Sequence, residues 1–236
     1  MKRLLLISNS TNPGEEYLSY PRQAIKDFLG GITSNIIFIP YAGVTFSRDE
    51  YEEKVNRSLN QVGITVKGIH RFEEDIEAVK KADAIIIGGG NTWSLVRSLR
   101  EHELMGVIRQ KIENGTPYIG WSAGSNVACP TLRTTNDMPI VDPKGFDTIN
   151  LIPFQINPHY TDYHPAGHGG ETRDDRINEF CCVNPSMPVV GLREGTMLLV
   201  EGDKMTLKGD KNMKLFKGGE EPKEYAPGDD LSFLLK

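Results

Sequence analysis

The chain has 236 residues, of which 38% are hydrophobic and 25% charged, with a net charge of −5. That balance fits a globular α/β chain whose core needs no staples, expected as one domain over residues 1–236. An acidic chain without a basic run excludes a phosphate-tracking nucleic-acid binder, and no apolar run is long enough to span a membrane.

Arg3 to Ser8 is a continuous apolar run, the mark of a strand buried on both faces of a parallel sheet, closed by the loop from Asn9 to Gly14. A helix over Pro21 to Leu29 leads to a second buried strand, Asn35 to Ile39, ended by Pro40. Asp49 to Val62 has helical spacing, with Val55 and Leu59 on one face. Thr65 to Ile69 reads as a third strand, Asp75 to Lys81 as a helix, and Ala84 to Ile87 as a fourth strand. Such alternation implies right-handed crossovers and an open parallel sheet with helices on both faces. No repeat, low-complexity segment or linker interrupts it.

The fourth strand runs into Gly88-Gly89-Gly90-Asn91-Thr92, ahead of a helix carrying Leu95, Val96 and Leu99. A Gly-rich turn before a helix can cradle phosphate, but this one lacks a P-loop lysine and the spacing of a dinucleotide fingerprint. Its amides, of Gly89 or Gly90, suit an oxyanion instead. Pro117 to Trp121 is a buried strand that stops on Gly120-Trp121-Ser122-Ala123-Gly124, followed by a small-residue helix from Ala123 to Cys129 that Pro130 ends. Gly-x-Ser-x-Gly is the nucleophile-elbow pattern, in which a strained serine sits on a sharp strand-to-helix turn and the next amide, here that of Ala123, faces the oxyanion.

Arg133 to Asp142 and Phe154 to Tyr160 read as polar loops. A serine needs a base and a carboxylate to orient that base, so Ser122, His159 and either Asp137 or a later acid form a candidate set. His159, His164 and His168 with Asp162 and Glu171 invite a metal reading, but their spacing matches no zinc signature, and a loop flanking the site is the better reading. Thr172 is a good N-cap for a helix with acids in its first turn. Val189 to Leu192 is another strand, with Arg193-Glu194-Gly195 at its carboxyl end, where ligands meet open α/β sheets. The segments Met197 to Glu201, Lys204 to Leu207 and Met213 to Phe216 read as antiparallel hairpins completing the sheet edge, and Gly219 to Asp230 as a peripheral, acidic, turn-rich tail. Cys129, Cys181 and Cys182, odd in number with two adjacent, suit reduced thiols in the cytoplasm, and no cationic leader is read at the amino terminus.

Leu6-Ile7-Ser8-Asn9-Ser10-Thr11, Phe38-Ile39-Pro40-Tyr41-Ala42, Gly88 to Thr92, the Ser122 elbow, Thr134 to Val141, Ile156-Asn157-Pro158-His159 and Gly170-Glu171-Thr172-Arg173 together resemble the peptidase E family of alpha-aspartyl dipeptidases. The resemblance implies a flavodoxin-like, doubly wound sheet related to class I glutamine amidotransferases, with serine where those enzymes place cysteine. It also implies cytoplasmic, metal-free and cofactor-free hydrolysis of Asp-X dipeptides by a monomer or homodimer. By motif, Ser122 is the nucleophile and His159 the base, while both Asp137 and Glu194 match acids assigned to the triad. Arg173 and Arg133 are the candidates for the substrate's aspartate side chain, and Asn91 joins them as a substrate-binding residue. The acid outside the triad is left for the substrate's amino group. The competing readings are a hydrolase of aspartyl-rich polymer, similar to cyanophycinase, and a noncatalytic nucleotide-binding module.

Overall fold

A computed structural model, which describes residues 1–167 and 169–236, folds the alternating runs into a central sheet covered on both faces. In chain order the first half contains β1 (Arg3–Ile7), α1 (Arg22–Leu29), β2 (Ile36–Ile39), α2 (Arg48–Leu59), β3 (Val66–Gly68), α3 (Asp75–Lys81), β4 (Ala84–Ile87), α4 (Thr92–Glu101), α5 (Leu104–Glu113), β5 (Tyr118–Trp121) and the short α6 (Ala123–Asn126). The second half contains β6 (Gln155–Tyr160), α7 (Arg173–Val183), β7 (Val189–Arg193), β8 (Met197–Glu201), β9 (Lys204–Lys208), β10 (Met213–Phe216) and β11 (Lys223–Tyr225).

The central sheet has the order β3-β2-β4-β5-β1-β8-β9. Its first five members are parallel, and β8 and β9 add an antiparallel edge. Because side chains alternate along a strand, Leu4 and Leu6 enter one core and Leu5 and Ile7 the other. The Leu5 face is covered by α1 and α2 through Ile25, Phe28, Val55 and Leu59. The opposite face meets α3, α4 and α5 through Val79, Leu95 and Ile108. This is the doubly wound α/β arrangement expected from the alternation of elements.

A second sheet, β11-β10-β7-β6, departs from that expectation. Met197–Glu201 and Lys204–Lys208 do complete the edge of the main sheet, but Val189–Arg193 and Met213–Phe216 belong to the second one. The stretch read as a loop, Phe154 to Tyr160, contains β6, which pairs in parallel with β7. Part of the tail, Lys223–Tyr225, is β11 on the outer edge of β10. Helix α5 was not among the expected elements, although Leu104, Ile108 and Ile112 recur every fourth residue and are all buried. The small-residue helix after the elbow is also shorter than its composition suggests, ending as an α-helix at Asn126.

The two sheets are joined where the elbow helix meets β6. Asn126 Nδ2 and Thr134 Oγ1 donate to the Ile156 carbonyl at 2.9 and 2.8 Å, and the Ile156 N–H donates to Cys129 Sγ at 3.1 Å. Burial pushes the Cys129 thiol up to about 12, so it stays a neutral packing group. At the far end of β7, the Arg193 guanidinium stacks over Tyr160 and spans Asp162, Glu224 and the Asn212 carbonyl with five hydrogen bonds of 2.8–2.9 Å. It thereby ties the loop after β6 to the second sheet.

The Arg193 hydrogen bonds hold the Asp162 carboxyl below its ordinary value. A depressed carboxylate contributes stability above its unfolded pKa and loses it as the pH falls through the folded one. Arg193→Met is therefore expected to lower unfolding free energy by about 1–2 kcal/mol at neutral pH. In denaturant titrations the gap from wild type narrows as the pH is taken below the carboxylate range; a gap that is constant from pH 7 to pH 3 contradicts this account.

Candidate active site

Strand β5 delivers Ser122 at φ 54° and ψ −112°, a backbone conformation that a residue with a side chain rarely adopts. Its N–H donates to the Ile7 carbonyl at 3.0 Å, and its own carbonyl accepts from the N–H groups of Ser125 and Asn126 at 3.0 Å each. The flanking glycines are steric requirements. A Cβ on Gly120 would lie 2.4 Å from the Gly124 carbonyl oxygen, and one on Gly124 would lie 2.1 Å from that of Ile87.

His159, near the carboxyl end of β6, has a positive φ like Ser122, at 53°. The β6–β7 register slips between Asn157 and Tyr160, and such a bulge re-aims a side chain. The His159 N–H donates to Ser8 Oγ at 3.0 Å, and that hydroxyl, fully buried, donates on to the Leu192 carbonyl at 2.7 Å. Glu194 follows β7 directly, and the next amide, of Gly195, donates to Asn9 Oδ1 at 2.9 Å. Tyr20 in turn holds Asn9, its hydroxyl lying 2.7 Å from each Asn9 oxygen.

These supports bring Ser122, His159 and Glu194 into one line. His159 Nδ1 is 2.6 Å from Glu194 Oε1, and Nε2 is 2.9 Å from Ser122 Oγ. An ionised carboxylate only accepts, so Nδ1 carries the proton and the bare Nε2 accepts from the serine hydroxyl. Such a chain can take a proton from serine as its oxygen attacks an electrophilic carbon.

Asp137, the other expected acid, is elsewhere. Its Oδ2 accepts from the Thr92 N–H at 2.7 Å, Thr92 Oγ1 at 2.6 Å and Thr135 Oγ1 at 3.0 Å, at the amino terminus of α4, where the helix dipole favours an anion. Oδ1 has no hydrogen bond among the described residues. The structure thus joins Glu194, not Asp137, to the imidazole.

A cavity of about 430 Å³ opens over the serine and is lined by Gly89, Gly90, Asp137, His159 and Arg173 among others. A Cβ on Gly89 would meet Ser122 Cβ at 3.0 Å, so this turn lies against the serine. Among the described residues, the amides of Gly89, Gly90 and Ala123 donate to no acceptor. Two expected binding residues are occupied differently. Asn91 caps α4, accepting from the Ser94 N–H at 3.1 Å and donating to the Met138 carbonyl at 2.9 Å, and does not line the cavity. Arg133 is exposed, with its guanidinium over the Phe146 ring at 4.9 Å, outside the cavity lining. Arg173 does line it, as the first residue of α7, half-buried and with Nη1 buried and lacking a partner among the described residues.

In the loop that invited a metal reading, Asp162 is paired with Arg193 and Glu171 with Arg176, while His168 lies outside the described residues. Among the described residues the converging group of possible ligands is Asp49, Glu52 and His70, where Arg71 already bonds both carboxylates at 3.0 and 2.8 Å.

Sequence reasoning named Ser8 and Asn9 only as motif positions, without a role, and did not single out Tyr51. The first two are small polar residues directly after a buried strand, a signal in hindsight because such residues are buried only with a partner. Tyr51 extends the four-residue spacing of Val55 and Leu59 backwards, and its hydroxyl donates to the Gly89 carbonyl at 2.8 Å, fixing the glycine turn. Ser8→Ala leaves the His159 N–H buried without an acceptor. It is expected to cost about 1–3 kcal/mol of stability and to slow phosphonylation of Ser122 by a fluorophosphonate, whereas a labelling rate equal to that of wild type would mean Ser8 only packs.

The model of peptidase family S51 matches residues 4–208. Peptidase E of Nostoc sp. is 54% identical over 235 residues, covering 100% of this chain and 97% of that one. Peptidase E of Shewanella amazonensis is 47% identical over 236 residues, covering 99% of each. Among solved structures, a peptidase from an acI-B1 Actinobacterium superposes with a TM-score of 0.72 at 19% identity over 99% of this chain and 97% of that one. A putative peptidase E from Listeria monocytogenes EGD-e gives 0.65 at 23% identity over 89% and 98%. These two structures speak for the fold; the family match and the close relatives carry the assignment. The chain belongs to peptidase family S51 and is a peptidase.

Proposed function

We propose that this peptidase hydrolyses dipeptides with an amino-terminal aspartate, Asp-X, through an acyl-enzyme on Ser122. The observation that carries the specificity is the buried, unpaired Nη1 of Arg173 in the cavity that also opens on the Ser122–His159–Glu194 chain. Burial, then the neighbouring Arg176, pulls the Arg173 pKa below its ordinary value. An arginine stays protonated all the same, so a partly desolvated guanidinium with no counter-ion among the described residues is completed by a carboxylate. Its place at the first position of α7 adds the favourable end of the helix dipole. Lys214 and the Tyr160 hydroxyl both bond the adjacent Asp174, at 2.5 Å each, which fixes this helix start.

In the reaction His159 Nε2 takes the hydroxyl proton as Ser122 Oγ attacks the scissile carbonyl. The amides of Gly89 or Gly90 and of Ala123 hold the oxyanion, in the manner of preorganised donors that stabilise charge as it develops. Collapse of the tetrahedral intermediate breaks the C–N bond, and the imidazolium returns its proton to the departing amino group of X. Water, activated by the same imidazole, then releases aspartate. Glu194 holds the imidazole in the required tautomer and stabilises its protonated form. The substrate's α-ammonium is taken by Asp137 Oδ1. A cytoplasmic setting belongs to this reading; among the described residues no helix is long and apolar enough to cross a membrane.

Steady-state turnover of Asp-Leu, Ala-Leu and N-acetyl-Asp-Leu tests it. Wild type is expected to favour Asp-Leu strongly over slow but measurable turnover of the other two, and Ser122→Ala to lose at least about 10⁴-fold in kcat. Arg173→Ala is expected to lower kcat/KM for Asp-Leu by about 10²-fold or more, with no loss on Ala-Leu. An Asp-over-Ala preference that survives Arg173→Ala removes Arg173 from the reading.

The acids separate in the same assay. Glu194→Gln is expected to act on kcat, by about 10²–10⁴-fold, and Asp137→Asn on the KM of substrates with a free amino group. The reverse pattern would exchange their roles.

A further inference from the structure

Lys54, on the outward face of α2, plays no part in the chemistry above, yet it lines the same cavity as Ser122 and Arg173. Its ammonium stands 4.2 Å from the centre of the Tyr17 ring and 6.0 Å from that of Phe46. It has no ion pair among the described residues: Glu50, one turn before it, is engaged in the capping box with Ser47, and the adjacent Glu53 pairs with Arg57. Tyr17 packs edge-on against Trp121 at 6.4 Å, and Trp121 directly precedes the serine. A short aromatic wall therefore leads from Ser122 to an unpaired cation.

The charges lining the cavity are Lys54, Arg173 and Asp137, two positive and one negative. An Asp-X dipeptide carries the complement: a β-carboxylate, a terminal carboxylate and an α-ammonium. With Arg173 taken by the β-carboxylate and Asp137 by the ammonium, one carboxylate and one cation remain. We infer that Lys54 binds the terminal carboxylate of the leaving residue, with Tyr17 and Phe46 flanking that residue's side chain. This assignment rests on the Asp-X reading above.

The chemistry of the two cations supports the division between them. A half-buried guanidinium with an orphan nitrogen suits a side chain that must be recognised in one fixed geometry. An exposed ammonium on a flexible stem suits a carboxylate whose position shifts with the identity of X. Lys54 and Tyr17 also line a neighbouring groove that contains Arg22 and Arg57 against one acid, Glu16, so the charge beside Lys54 is positive on balance.

The test compares Asp-Leu with Asp-Leu-amide, which lacks the terminal charge, and includes Ala-Leu, using wild type, Lys54→Met and Lys54→Arg. Wild type is expected to favour the free acid over the amide by about five- to tenfold in kcat/KM. Lys54→Met should collapse that ratio to near one by raising KM for Asp-Leu, with the preference for Asp over Ala intact, and Lys54→Arg should restore most of it. An unchanged ratio in Lys54→Met overturns the assignment. So does a loss of the Asp-over-Ala preference, which would instead make Lys54 the reader of the β-carboxylate. If wild type cleaves neither Asp-Leu nor its amide, the Asp-X reading itself falls, and the assignment with it.

Discussion

The carboxyl end of β1 holds the candidate site together. Three consecutive residues there each bond a different part of it: the Ile7 carbonyl takes the Ser122 N–H, Ser8 Oγ takes the His159 N–H, and Asn9 Oδ1 takes the amide that follows Glu194. Ser122 and His159 both have positive φ, which costs of order 1–3 kcal/mol for a residue with a side chain. Such strain persists only where the surroundings over-determine it. The end of a central strand, buried and bonded on both sides, is the stiffest place from which to do so.

This arrangement explains why the site lies at a junction of two sheets. The serine comes from the main sheet, whereas the imidazole and its carboxylate come from adjacent parallel strands of the second sheet, β6 and β7. Parallel strands end side by side, so the bulge in β6 and the first residue after β7 bring His159 and Glu194 within 2.6 Å without a long loop. Ile156 locks the relative position of the two sheets, since its N–H and its carbonyl are both bonded to the segment that begins with the elbow helix. A shift of one sheet against the other would break those bonds before it separated serine from histidine.

Much of this was legible in the residues, and the failures share one cause. Continuous apolar runs such as Ala84 to Ile87 and the Gly120-Ser122-Gly124 turn announce local conformations, and the structure has them where the pattern placed them. Which sheet a strand joins is a long-range property, so Val189–Arg193 and Met213–Phe216 were assigned to the wrong one. Strand β6 was hidden by its own chemistry: Asn157, Pro158 and His159 are poor strand formers, retained because the strand is bulged and its polar side chains have partners. The choice between Asp137 and Glu194 could not be made from sequence, because the former is a near neighbour of the elbow in the chain and the latter only in space. Arg133 and Asn91 lie outside the cavity lining for the related reason that a motif position does not say where a side chain ends.

On the proposed reading, the site selects by charge more than by shape. His159 and Glu194 are each 40% exposed, so the catalytic chain is not enclosed in a tight pocket. A cleft this open does not measure a peptide's length by walls. Fixed charges can do so, because each end of a dipeptide carries one. Blocking the amino group removes the partner of Asp137, and extending the chain moves the terminal carboxylate beyond Lys54. Each change leaves a protein charge uncompensated; for the half-buried Asp137 a missing counter-ion costs more than it would in water, and for the exposed Lys54 it forfeits a weaker attraction. Preference for free dipeptides then follows from two charges set by the fold, Arg173 and Asp137, with a third on the flexible stem of Lys54 within reach, and it needs no lid to enforce it.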